Sequence, residues 1–155
     1  MRTFQGIDEF AEAIGTHLGH SDWRTVSQEQ VDLFAEVTDD HQWIHTDPER
    51  ARTGPFDGPI VHGHLTLSLV PALLREIYRV EGLSMVVNYG MNKVRFPSAV
   101  PVGSRLRASA ELISIAPRPQ GDQATVQVTI EIDGSDKPAC VAEIVSLLLG
   151  EKDAR

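Results

Sequence analysis

Residues 65–80 constrain the fold more than any other part of the chain. Leu65, Leu67, Leu69, Val70, Ala72, Leu73, Leu74, Ile77 and Tyr78 fall almost all round a helical wheel. A helix that is apolar on every side must have other elements packed around it. The segment falls short of the ~20 apolar residues that span a bilayer, and no longer apolar run occurs, so a buried core helix is expected and a membrane span is not. Pro71 lies inside the segment and predicts a kink. The charges Arg75, Glu76, Arg79 and Glu81 gather at its exit.

The second half of the chain supplies the packing partner. Strands are predicted over 84–96, 104–115, 124–132 and 139–149. Val126, Val128 and Ile130 alternate with Thr125, Gln127, Thr129 and Glu131, the pattern of a sheet with one wet face. The connections are short and rich in Pro and Gly, which predicts antiparallel neighbours. The first half is helical in pattern. A helix is expected over 7–14 and an edge strand over 23–26. Ser27 with Gln30 spells a capping box, and Asp47–Pro48 opens a further short helix. With no repeat and no dividing linker, 155 residues make one domain, 1–155. The expected class is α+β, an antiparallel sheet curled around one long central helix.

Composition removes several functions. Fourteen basic residues stand against 22 acidic ones, a formal charge of −8, which opposes nucleic-acid binding. The single cysteine, Cys140, sits in an alternating run and reads as a small buried hydrophobe. The N-terminus lacks the apolar core of a signal peptide, so a cytoplasmic location is expected. Phosphate-loop, dinucleotide-binding, nucleophile-elbow and paired-cysteine signatures are missing from the sequence.

Two polar clusters remain. Asp40 and His45 are five apart. On a helix that spacing diverges by about 140°, and on a strand the two face opposite sides. They converge only in an irregular loop anchored by Trp43 and Ile44; otherwise the stretch is a polar connection with a capping Asp. His62–Gly63 precedes the apolar helix. Free N–H groups at a helix start polarise a bound carbonyl oxygen, and glycine permits close approach. The alternative there is plain helix-start chemistry. A metal held by His41, His45, His62 and His64 with Asp40 and Asp47 lacks any paired-ligand spacing, so no metal is expected.

With these clusters in view, the sequence resembles the MaoC-like dehydratases, the (R)-specific enoyl-CoA hydratases of the hotdog-fold superfamily. Their motif runs D-x-N-P-x-H after a helix, with a small residue following. Asp40-His41-Gln42-Trp43-Ile44-His45 and Ala51 match it, with Gln42 for the family Asn and Trp43 for its Pro. The second landmark is Val61-His62-Gly63-His64-Leu65; the third is Val94-Arg95-Phe96-Pro97 and then Val100-Pro101-Val102-Gly103-Ser104. The short single-hotdog hydratases of actinobacterial type are especially similar.

The resemblance implies a hotdog fold. It also implies reversible hydration of a trans-2-enoyl thioester, of coenzyme A or acyl carrier protein, to a (3R)-3-hydroxyacyl thioester in fatty acid metabolism. No cofactor or metal is implied, the thioester being the substrate. Asp40 and His45 would hold the water, Gln42 would orient the water or His45, and the Gly63 N–H would bind the thioester oxygen. His62 would support the loop or simply pack. Lys93, Arg95, Arg105 and Arg107 flank the 97–103 turn and are the expected patch for the substrate's phosphates. A homodimer is expected, with no membrane or nucleic-acid partner. Three rivals stand: a hotdog acyl-CoA thioesterase, a non-catalytic or partner-dependent subunit of an acyl-carrier-protein dehydratase, and a metal hydrolase.

Overall fold

A computed structural model describes residues 1–150; positions 151–155 of the expected domain lie outside the described residues. The N-terminal elements are β1 (Arg2–Phe4), α1 (Ile7–Ala11), β2 (His17–His20) and β3 (Arg24–Thr25). The first helix is shorter than expected. It gives way to turns that end at Gly15, whose φ of +77° suits glycine and whose N–H donates to the Leu112 carbonyl at 2.7 Å. Phe10 points inward from α1, 5.0 Å from the Phe4 ring and 5.2 Å from that of Tyr78.

The next helix, α2 (Gln28–Thr38), starts as the sequence specifies: the Ser27 side chain accepts from the Gln30 N–H, and the Gln30 side chain accepts from the Ser27 N–H. It ends at Asp39 in the left-handed region, φ 58°. Two one-turn helices follow, α3 (Trp43–Thr46) and α4 (Pro48–Ala51). Asp47 Oδ1 caps α4 by accepting from the Arg50 N–H at 3.0 Å.

The apolar segment forms α5 (Gly63–Ser68) and α6 (Val70–Ile77), broken at Leu69. Pro71 supplies the cause: it has no N–H to continue the ladder. The expected helix also ends earlier, because Tyr78–Val80 extends as β4 and pairs in parallel with β1. No helix among the described residues is long and apolar enough to cross a membrane.

The four predicted strands are β5 (Leu83–Arg95), β6 (Arg105–Arg118), β7 (Gly121–Ile132) and β8 (Cys140–Gly150). The sheet order is β2-β6-β7-β8-β5, with β3 also on β6. One expectation fails here. The turn after β5 does not make it a neighbour of β6; β5 lies across the sheet beside β8. Alternation sets the faces. Leu106, Ala108, Ala110 and Leu112 of β6, Val126, Val128 and Ile130 of β7, and Ala142 of β8 are buried, together with Val70, Leu73 and Ile77 of α6. The small alanines leave room for the broken helix to lie in the curve of the sheet. Cys140 is 1% exposed within this core, and burial pushes its thiol up to about 11.

Candidate active site

Residues 40–42 are irregular before α3 begins, so Asp40 and His45 do not share one regular helix or strand, as their convergence required. Gln42 begins α3 with φ −56° and ψ 131°, and its carbonyl accepts from the His45 N–H at 2.9 Å. One turn of helix then points His45 inward, where it is 7% exposed. Trp43 is half-buried rather than buried. The Arg50 guanidinium lies 4.4 Å from its ring centroid, and Gly54 packs so close that an added Cβ would meet the ring at 2.9 Å.

Three bonds fix His45. Its Nδ1 lies 2.6 Å from the Ile60 carbonyl, the Ile60 N–H donates to the Ile44 carbonyl at 3.0 Å, and Gln28 Nε2 donates to the His45 carbonyl at 2.8 Å. A carbonyl only accepts, so Nδ1 carries the hydrogen and Nε2 keeps its lone pair. Burial holds the imidazole pKa below its usual 6.5 and the nearby His62 adds to this, while the Ile60 bond and Asp40 oppose it. His45 is therefore a neutral imidazole with one free basic nitrogen near pH 7. Neither Gln28 nor Ile60 carries a sequence signal of this role.

Asp40 is exposed and His62 is buried. One carboxylate oxygen of Asp40 and one ring nitrogen each of His45 and His62 lie within 4.8 Å of one another. Two hydrogen bonds of about 2.8 Å meeting at one water span roughly 4.5 Å, so a water fits between such groups. Of the ligand types weighed for a metal, only these three residues come together among the described residues; His41 instead faces Glu36 and Asp39. Gln42 is exposed.

Gly63 opens α5, and its cap residue His62 makes no side-chain cap bond. A Cβ at Gly63 would stand 3.2 Å from the Phe96 ring. Its smallness thus also serves packing against that ring.

Of the expected cationic patch for the substrate's phosphates, Lys93 and Arg95 lie on β5, and Arg105 and Arg107 on β6. Arg105 and Arg107 alternate with buried Leu106 and Ala108, which places them on the outer face of the sheet, away from the core helix. Arg107 Nε bonds Glu131 at 2.7 Å and Arg105 Nε bonds Asp133 at 2.9 Å, and both guanidinium groups lie over the Trp23 ring. Lys93 Nζ bonds Glu143 at 2.9 Å. Arg95 pairs in register with Val141 on the same outer face. It donates to the Val94 carbonyl and has no carboxylate partner among the described residues.

Comparison with known proteins follows the same lines. Residues 9–134 match the family described as MaoC like domain. A 3-hydroxyacyl-thioester dehydratase Z from Mycobacterium tuberculosis (strain ATCC 25618 / H37Rv) is 53% identical over 146 residues, 94% of this chain and 97% of the relative. Nodulation protein N from Rhizobium leguminosarum bv. viciae is 42% identical over 138 residues, 87% of this chain and 86% of the relative. Among solved structures, the (R)-hydratase from A. caviae involved in PHA biosynthesis superposes with a TM-score of 0.70 at 28% identity, covering 87% of this chain and 96% of that one.

Proposed function

Because this chain belongs to the MaoC-like dehydratase family of hotdog-fold hydro-lyases, we propose that it is an (R)-specific enoyl-CoA hydratase. It adds water across a trans-2-enoyl thioester to give the (3R)-3-hydroxyacyl thioester, and removes water in reverse. The observation that carries this reading is the 2.6 Å contact of His45 Nδ1 with the Ile60 carbonyl, which assigns the hydrogen to Nδ1 and leaves the lone pair at Nε2 to take a proton.

In the forward step the water oxygen bonds to C3 as His45 Nε2 takes the water's proton. The π electrons move toward the thioester, giving an enolate-like state whose charge sits on the carbonyl oxygen. The Gly63 N–H at the start of α5 donates a hydrogen bond to that oxygen. The imidazolium then returns its proton to C2 on the same face, so addition is syn and the atoms balance as one water. Asp40 holds the water's second hydrogen and favours the imidazolium while it lasts. Gln42 orients the water. The proton cycle closes on the protein itself, so the reading calls for no cofactor beyond the thioester substrate.

The active form is a homodimer in this reading. β5 is an edge strand, and Val86 (57% exposed), Tyr89 (65%) and Met91 (51%) stand exposed along it. A long apolar edge of this kind is covered by pairing, and a two-fold copy of the same strand is self-complementary.

The test is product identity. Purified protein is incubated with a trans-2-enoyl-CoA, and the product is resolved by chiral chromatography. The expected product is the 3R alcohol thioester; a 3S product overturns the reading.

A further inference from the structure

His62 is 1% exposed, and it touches both members of the catalytic pair proposed above. Its Nε2 lies 3.0 Å from the backbone carbonyl of Asp40, 22 positions earlier in the chain. Its ring stacks on that of His45, with centroids 3.9 Å apart and planes at 25°. The Phe34 ring, from α2, lies 5.0 Å away at 54°. Because a carbonyl can only accept, the hydrogen sits on Nε2 and Nδ1 is a bare acceptor. That Nδ1 is buried and has no hydrogen-bond partner among the described residues.

A buried acceptor without a partner is desolvated with nothing in return. A residue kept only for packing would not be an imidazole. Phenylalanine would fill the same space, keep the ring contacts with Phe34 and His45, and remove the orphaned nitrogen. What phenylalanine would lose is the bond to Asp40. No donor among the described residues holds the Asp40 carboxylate, and the residue before it is in the left-handed region. The His62 bond is thus the tie that fixes where the Asp40 backbone stands. The stack has a matching use. The Ile60 bond holds His45 at one atom and leaves the ring free to tilt about that contact, and a ring lying flat against it removes the tilt.

We propose that His62 is a positioning residue for the hydration, holding Asp40 by its backbone and His45 by its ring plane, at the expense of an unsatisfied buried nitrogen. The proposal rests on the reading of Asp40 and His45 as the reacting pair.

Two variants of the full chain test it. His62→Phe keeps the ring and removes the donor. His62→Gln offers an amide N–H to the Asp40 carbonyl and removes the ring. For His62→Phe the expected melting temperature is within about 2 °C of wild type or higher, with kcat lower by about 10- to 100-fold and KM changed less than about twofold. His62→Gln should melt lower than His62→Phe and also lose rate, since it gives up the ring that holds the plane of His45. A phenylalanine variant with wild-type kcat overturns the proposal. So does one that loses rate and melting temperature together, since His62 would then be a packing residue, and so does a glutamine variant with wild-type kcat. Asp40→Asn and His45→Gln run alongside. If they keep the rate, the hydration reading itself fails; if they lose it while His62→Phe does not, only this inference fails.

Discussion

His45→Gln separates the chemistry of His45 from its structural part. The His45 Nδ1–H bond to the Ile60 carbonyl is 2.6 Å long, and a glutamine amide offers an N–H to the same carbonyl. The loop therefore keeps its anchor. What disappears is the Nε2 lone pair, because an amide oxygen is far too weak a base to take a proton from water. A positioned general acid–base group contributes about 10²- to 10⁴-fold, which is roughly 2.7–5.5 kcal/mol at 1.36 kcal/mol per decade. The stack on His62 is lost too, but a ring pair contributes only about 0.5–1.5 kcal/mol. That cost falls on stability and lowers the melting temperature by a few degrees, at roughly 2–4 °C per kcal/mol for a chain near this size. The assay is steady-state turnover of a trans-2-enoyl-CoA, beside a thermal melt. The expected result is kcat down by at least about 100-fold, with KM within about threefold, since the lost interaction belongs to the transition state. A variant retaining more than about one tenth of wild-type kcat refutes the role given to His45. Asp40→Asn is expected to follow the same direction.

Other outcomes follow from the same geometry. His45 must be neutral to act and burial lowers its pKa, so the acid limb of kcat/KM should have its midpoint below the usual 6.5. The unfolded chain takes up that proton near 6.5 and the folded chain only at lower pH, so this group's contribution to stability is intact above 6.5 and declines on further acidification. A limb centred above 6.5 would contradict the assignment. Gly121→Ala should lower the melting temperature by roughly 5–10 °C, because at φ +135° its Cβ would lie 2.5 Å from the Leu148 carbonyl oxygen and such a conformation costs a side chain about 1–3 kcal/mol before any clash. A melt within 2 °C of wild type would show that β7 and β8 part easily there. Arg95→Ala should raise KM several-fold with little change in kcat, whereas Arg105→Ala, already paired with Asp133, should change KM less than about twofold; equal effects would remove Arg95 from substrate binding. Val87→Asp with Tyr89→Asp should convert a species of twice the chain mass to a single chain on sizing, and an unchanged elution would place any dimer contact elsewhere.

Local chemistry made much of this fold legible. Ser27 and Gln30 sit at capping-box spacing, and Asp47–Pro48 states a helix start without reference to the rest of the chain. The alternation of β6, β7 and β8 follows from one face being buried. What stayed hidden depends on distant partners. His17–His20 and Arg2–Phe4 have no strand pattern and become strands because β6 and β4 offer them an edge. Nothing near residues 97–103 says that β5 crosses to β8. In the site, Asp40, His45 and Gly63 were visible as a polar cluster and a helix start. Gln28 and Ile60 were invisible, because they act through an ordinary amide and a backbone carbonyl. The cationic patch was drawn from nearness in sequence. Strand parity turns Arg105 and Arg107 outward; Glu131 stands opposite Arg107 on β7 by register alone, and Asp133, just past the end of β7, donates its N–H to the Arg105 carbonyl.

The central claim is that this chain hydrates an enoyl thioester and leaves the thioester bond intact. Purified protein is mixed with crotonyl-CoA, loss of the conjugated-thioester absorbance is followed, and a free-thiol probe reports in a parallel cuvette. The account predicts that the absorbance falls to an equilibrium value while no thiol appears. Thiol release in step with the absorbance loss would contradict it and identify thioester hydrolysis as the reaction.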